Sequence, residues 1–313
     1  MGPPTDLGDP DPSRPWSAPD AAPGPAPVPT VPGLGPTTAA PGVDDAVRPP
    51  IPLRPMTVGA QLDGGYDVVR ARPRDVLLLT AVFVIPLQLL VAFLNRDALR
   101  DGGSLLAEVL WRLGSDTGGV GWVLGFAALA LAYTLAAAAI TVTVIGWYAG
   151  RRPTPGDALR AVLDRGLALV MLWALVLLSV AVGLLGLVLG AVVVMALLSP
   201  AVPALMVEGL GPVDAVRRSV RLARPRIGYV VGVGVLSAVL AWLIGRALGV
   251  VPQLLGLALG PERGWVLLGV GSIIADVVWL TVTAATAVLV YLDLRVRQEG
   301  LDLAWAADRH LPT

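Results

Sequence analysis

Few side chains in this sequence are equipped for bond-making chemistry. Cysteine is absent and histidine occurs once, at His310. Disulfides, Cys/His metal sites, thiol nucleophiles and a Ser-His-Asp arrangement therefore each lack a component. What remains are carboxylates and arginines in unusual places. Asp276 lies eleven residues after Trp265 and fifteen before Tyr291, inside an apolar run. An ionised carboxylate there costs roughly 2.5–3.5 kcal/mol if the run crosses a bilayer. It needs a cation, a wet cavity, a proton or a polar neighbour. Arg246 is the only cation inside the apolar stretches, about one or two helical turns too shallow for easy pairing, although a snorkelled side chain would narrow the gap. Two readings stay open. Asp276 and Arg246 form a polar site that binds a cation, relays protons or holds a lipid amine; or Asp276 is a structural contact to Ser272, Thr281, Thr283 or a backbone carbonyl.

A second concentration of charge holds Arg217, Arg218, Arg221, Arg224 and Arg226 within ten residues. It would attract anionic lipid headgroups at about 1 kcal/mol per arginine. The plainer alternative is an orientation signal without a bound ligand. Glu208, Asp214 and the Arg217–Arg218 pair predict an ion-paired corner beside it. No catalytic, cofactor-binding or metal-ligating residue is expected.

The elements that must hold these groups follow from composition. Of 313 residues, 55% are hydrophobic and 15% charged, and 23 basic residues balance 23 acidic ones. Such a chain is poorly suited to be a soluble enzyme, and no excess positive charge draws it to nucleic acid. Residues 1–55 hold 17 of the 28 prolines and predict a disordered Pro-rich cytoplasmic tail. Residues 56–313 predict an all-α integral membrane domain with six transmembrane helices, at about 76–94, 119–147, 166–184, 186–207, 227–249 and 265–291, and a cytoplasmic segment 292–313. The uncharged run from Gly166 to Val207 is twice the length of one crossing, so Gly183 and Gly186 are expected to mark a bend. Pro86, Pro200 and Pro203 fall inside predicted spans.

Orientation follows from arginine placement. Beyond the tail, fifteen arginines collect on one side of the six-helix arrangement and five on the other, so both termini are expected in the cytoplasm. Trp147, Tyr148, Tyr229 and Tyr291 would mark the inner headgroup level, Trp122 and Trp265 the outer one. Lysine is absent, and arginine with Ala, Val, Gly, Leu and Pro reads as the codon bias of a GC-rich genome; the expected location is a bacterial plasma membrane.

Three times an arginine-bearing segment with helical apolar spacing precedes a hairpin. The first has Val58, Leu62, Tyr66 and Val69 on one face and Thr57 as cap. The second has Thr154-Pro155-Gly156-Asp157 as cap, then Leu159, Val162 and Leu163. The third has Val213, Val216 and Val220 opposite Arg217, Arg221 and Arg224. The domain thus reads as three hairpins, each with a cytoplasmic interfacial amphipathic helix. A shared solution without duplication would give the same pattern.

Three motifs carry a family likeness. The opening motif runs Arg54-Pro55-Met56-Thr57-Val58-Gly59 to Leu62-Asp63-Gly64-Gly65-Tyr66. The middle motif runs from Pro203 through Glu208-Gly209 and Gly211-Pro212-Val213-Asp214 to Ser219. The closing motif is Tyr291-Leu292-Asp293-Leu294-Arg295-Val296-Arg297-Gln298-Glu299-Gly300-Leu301-Asp302-Leu303. Together they resemble the actinobacterial multi-pass proteins grouped with the membrane domain fused to some glycerophosphodiester phosphodiesterases. That resemblance implies a fold and a compartment more than an activity, because the paired histidines of the fused catalytic barrel have no counterpart here. The expected function is a non-enzymatic scaffold or accessory factor for membrane or envelope processes, touching the lipid bilayer, anionic headgroups and membrane-protein partners. The alternative is a transporter or lipid translocator with a polar cavity around Asp276.

Overall fold

The computed structural model describes residues 55–94 and 118–300, and these are all-helical, without strands. The Pro-rich tail to residue 54, the first predicted outer loop and the segment after Gly300 lie outside the described residues, as do the side chains of Trp122 and Trp265. The helices are α1 Val58–Ala71, α2 Pro73–Leu94, α3 Gly118–Tyr148, α4 Pro155–Asp164, α5 Gly166–Gly183, α6 Leu187–Leu198, α7 Ala201–Glu208, α8 Pro212–Ala223, α9 Ile227–Ala258 and α10 Pro261–Glu299. Four stretches among the described residues are long and apolar enough to cross a membrane: Gly125–Tyr148, Gly166–Glu208, Pro212–Ala258 and Val266–Glu299.

The second stretch, 43 residues long, doubles back on itself. The Arg165 guanidinium donates to the Leu205 carbonyl at 3.0 Å, so its two ends are adjacent. The reversal is a single 3-10 turn, Leu184–Gly186, where the glycines placed it. Gly183 abuts Gly190 and Ala191 there, with a Cβ position only 3.1 Å from the Gly190 carbonyl. The left-handed conformation falls not on Gly186 but on Leu187, at φ 59°. A second break, at Ser199–Pro200, separates α6 from α7. Pro86 leaves α2 continuous.

The short helices start where their caps dictate. Thr57 Oγ1 accepts from the Ala60 N–H at 3.3 Å. Thr154 and Asp157 form a reciprocal capping box, with Pro155 at the first helical position. α8 also begins on proline and ends where Pro225 enters a 3-10 turn over Arg224–Arg226. Their inward faces match the predicted ones in part, through Leu62 and Val162. α1 buries Gln61, Leu62, Gly65 and Val68, and α4 buries Ala158, Ala161 and Val162 while Leu163 is exposed. α8 turns Ala215, Ser219 and Leu222 inward and leaves Val213 exposed. Small residues win the inner face because these helices lie tight against protein, where close approach outweighs side-chain bulk.

α10 is the central element: α1, α2, α3 and α9 all pack on it. Its apolar stretch and that of α3 are mostly buried; α5, α6 and α9 bury only scattered residues, and α7 is buried from Ala201 to Val207. The main core holds Ile140, Ile145, Leu205, Met206, Leu289 and Leu292, near the arginine-rich end of the bundle. A smaller cluster of Val84, Ala132, Val277 and Leu280 sits farther along. The α9–α10 hairpin is joined by backbone approaches of Gly245 to Ala275, Gly249 to Gly271 and Gly256 to Gly264; a methyl on Gly245 would stand 2.5 Å from the Ala275 carbonyl. Gly186, Gly228 and Gly232, in contrast, meet nothing within 4 Å. Trp147, Tyr148 and Tyr291, expected at a headgroup boundary, are instead buried in the core.

Candidate functional site

Polar side chains gather at three places along α10. The first is Asp276. The glycine-mediated register of α9 and α10 sets Arg246 beside it, with Arg246 Nη2 3.6 Å from Asp276 Oδ1. Close helix approach and the reach of the arginine cover the offset that the sequence reading judged too large. The other carboxylate oxygen accepts from Gln88 Nε2 of α2, so one buried charge ties three helices together. Gln88 was missed, and its signal was plain: a lone amide in an apolar run. The structural partners weighed for Asp276 point elsewhere. Ser272 Oγ donates to the Gly269 carbonyl at 2.8 Å, and Thr283 Oγ1 donates to the Trp279 carbonyl at 2.8 Å. Thr281 Oγ1 lies 2.6 Å from the Val277 carbonyl and 2.8 Å from Thr80 Oγ1.

The second place is an ionic network at the arginine-rich end. Arg218 Nε donates to both Glu208 oxygens, at 3.0 and 2.9 Å. Arg218 Nη2 reaches Glu299 Oε1 at 2.5 Å, and Arg295 Nε donates to Glu299 Oε2 at 2.8 Å. The Tyr291 hydroxyl donates to Glu208 Oε1 at 2.8 Å and accepts from Arg295 Nη1 at 3.2 Å. Two guanidinium groups and two carboxylates cancel. The predicted corner thus contains Glu208 and Arg218, but Asp214 and Arg217 form a separate exposed pair at 3.4 Å. Arg295, Glu299 and Tyr291 join from the closing motif, where a spacing of four residues, Tyr291 to Arg295 to Glu299, stacks them on one helix face.

The third place is a latch on the main chain. Asp293 is fully buried; its Oδ1 accepts the Met56 N–H at 2.7 Å and its Oδ2 accepts from Arg297 Nε at 2.9 Å. Arg297 Nη2 and the Tyr229 hydroxyl both donate to the Met56 carbonyl, at 2.6 and 3.1 Å. The opening and closing motifs are thereby bonded directly, 237 residues apart. Nothing in the sequence pattern paired them.

Of the five clustered arginines, Arg218 is withdrawn into the network, its side chain 17% exposed. Arg217, Arg221, Arg224 and Arg226 are exposed on α8 and the turn after it, and the last three form no ion pair among the described residues. Elsewhere, two hydrogen bonds from Thr154, from its hydroxyl and its main-chain N–H, hold the Asp157 carboxyl below the ordinary carboxylate range, helped by Arg160. Among the described residues no three His, Asp or Glu side chains converge on a metal-sized point. Comparison with protein-family models, with curated proteins and with solved structures finds no match to this chain.

Proposed function

We propose that this chain is a six-crossing protein of a bacterial plasma membrane, built from the hairpins α2–α3, α5 with α6–α7, and α9–α10, with both termini cytoplasmic. Its role on this reading is that of a non-enzymatic scaffold or accessory factor in membrane or envelope processes. The observation that carries it is the contrast at the arginine-rich end. Arg218, Arg295 and Arg297 are held in pairs with Glu208, Glu299 and Asp293, while Arg221, Arg224 and Arg226 stand exposed, free to meet anionic headgroups or an acidic partner. The same proposal takes up the likeness to the glycerophosphodiester phosphodiesterase membrane-domain family; the bond between opening and closing motifs supplies a physical reason for the two to occur together.

Two experiments test it. Reporter fusions at residue 54 and residue 301 should both read as cytoplasmic, and opposite faces would end the topology. A photo-crosslinking residue at Arg221 in native membranes should yield a reproducible protein adduct that weakens in Arg224→Ala/Arg226→Ala. Absence of any such adduct counts against the scaffold role.

A second reading, transport or lipid translocation, draws on the burial of Asp276 among three helices. Reconstituted vesicles with wild type and Asp276→Asn test it, and flux no faster than from empty vesicles removes its support.

A further inference from the structure

α10 ends against α8. Gln298 Nε2 donates to the Leu222 carbonyl at 2.7 Å, one residue from the exposed Arg221, and Glu299 meets Arg218 a turn earlier on α8. Gly300 then closes α10 in the left-handed conformation, φ 62°, its N–H on the Val296 carbonyl at 3.1 Å, which turns the chain off the helix axis. The closing motif runs on from there as Leu301-Asp302-Leu303. In its described part the polar side chains Asp293, Arg295, Arg297, Gln298 and Glu299 are all engaged. Asp302 is the next acid in the chain. Four extended residues from Gln298 span at most about 14 Å, so Asp302 is confined to the neighbourhood of Leu222 and therefore of Arg221. The charge there is one-sided. Arg221, Arg224 and Arg226 are exposed without an ion pair among the described residues, while Asp214 is paired with Arg217 at 3.4 Å and Glu208 and Glu299 are paired with Arg218.

We infer that residues 301–303 lie back on the end of α8, where the Asp302 carboxylate accepts from the Arg221 guanidinium and competes with anionic headgroups for it. The occupant of this part of the arginine surface is thus a segment of the same chain. An exposed ion pair between free side chains is worth little, but this acid is tethered by the Gln298 and Glu299 contacts, at an effective concentration of millimolar order or above. A lipid phosphate must displace it. One carboxylate covers one guanidinium, so Arg224 and Arg226 stay open. The competition with headgroups rests on the reading of the exposed arginines proposed above; the contact between Asp302 and Arg221 does not.

The chain has no cysteine, so a single pair can be introduced beside the contact without touching it. The full chain carrying Val220→Cys/Leu303→Cys is reconstituted into phosphatidylcholine vesicles and treated with a short bismaleimide. Crosslinking should slow by about threefold on adding Asp302→Asn, equally on adding Arg221→Gln, and no further when both are present. Asp308→Asn, beside Arg309, should leave the rate unchanged. In vesicles that also contain phosphatidylglycerol with a photoactivatable headgroup, adducts on α8 of the cysteine-free chain should rise by about threefold in Asp302→Asn, and Arg221→Gln should abolish that rise. Crosslinking indifferent to Asp302→Asn, or slowed as much by Asp308→Asn, overturns the contact. Slowed crosslinking with unchanged headgroup adducts overturns the competition. Absence of headgroup adducts on α8 in every variant overturns the headgroup reading of the exposed arginines and the competition with it, whereas the contact is decided by the cysteine rates alone.

Discussion

Arg246 and Asp276 share their ion pair unequally. The arginine side chain keeps 39% of its exposure and the aspartate 10%, so removing either partner strands a different charge. Asp276→Asn leaves Arg246 able to reach solvent or headgroups and keeps an acceptor for Gln88. Arg246→Leu leaves a buried carboxylate supported by one amide. Arg246→Leu should therefore lower the unfolding midpoint in detergent clearly more than Asp276→Asn, and the reverse order would show that the pair does not hold the three helices. The network at the arginine-rich end invites a related test. Glu208→Gln leaves Arg218 and Arg295 competing for Glu299, and should cost about 1–3 kcal/mol in chemical denaturation. The glutamate and Arg218 were visible in sequence because they are near neighbours across one turn. Tyr291 and Gln88 were not, because the carboxylates they bond, Glu208 and Asp276, lie on other helices and residue type alone does not reveal a helix's rotation.

At the level of single elements, α4 offers a pH signature. Asp157 titrates below an unfolded carboxylate, so its capping contribution is complete above about pH 4 and is lost as pH falls through the depressed value. Thr154→Ala should destabilise by about 1 kcal/mol at neutral pH, and the gap from wild type should shrink in acid; a gap constant from pH 7 to pH 3 would deny the link. The α5–α6 turn offers another. Leu187 holds φ 59° and ψ −163°, a region natural to glycine, and its side chain is exposed. Leu187→Gly should raise stability by about 1 kcal/mol, relieving strain at small packing cost; unchanged or lower stability would mean that the leucine contributes more than it strains. Helix caps and this turn were legible because they depend on short runs of residues. The inward faces of α1, α4 and α8 were legible only in part: Leu62 and Val162 point inward as their bulk suggested, but packing also selected alanine, serine and glycine.

Across the whole molecule, helical class and long apolar stretches were open to reading from composition and run length, because a chain this apolar has few ways to satisfy its backbone except in helices. The central position of α10 was hidden, since its sequence is no more hydrophobic than that of the exposed α5. What distinguishes it is contact, notably with Met56. Asp293→Ala should leave the Met56 amide without its acceptor, and hydrogen exchange there should accelerate while amides in α3 keep their protection; unchanged exchange would show that the bond is incidental. The latch also has a consequence in time. Met56 is synthesised well before Tyr229, and Asp293 and Arg297 come more than two hundred residues later, so the first helix leaves the ribosome with its docking partner still unmade. A nascent chain interrupted anywhere before residue 293 would carry an uncovered opening segment, and only completed translation supplies the bonds that close it.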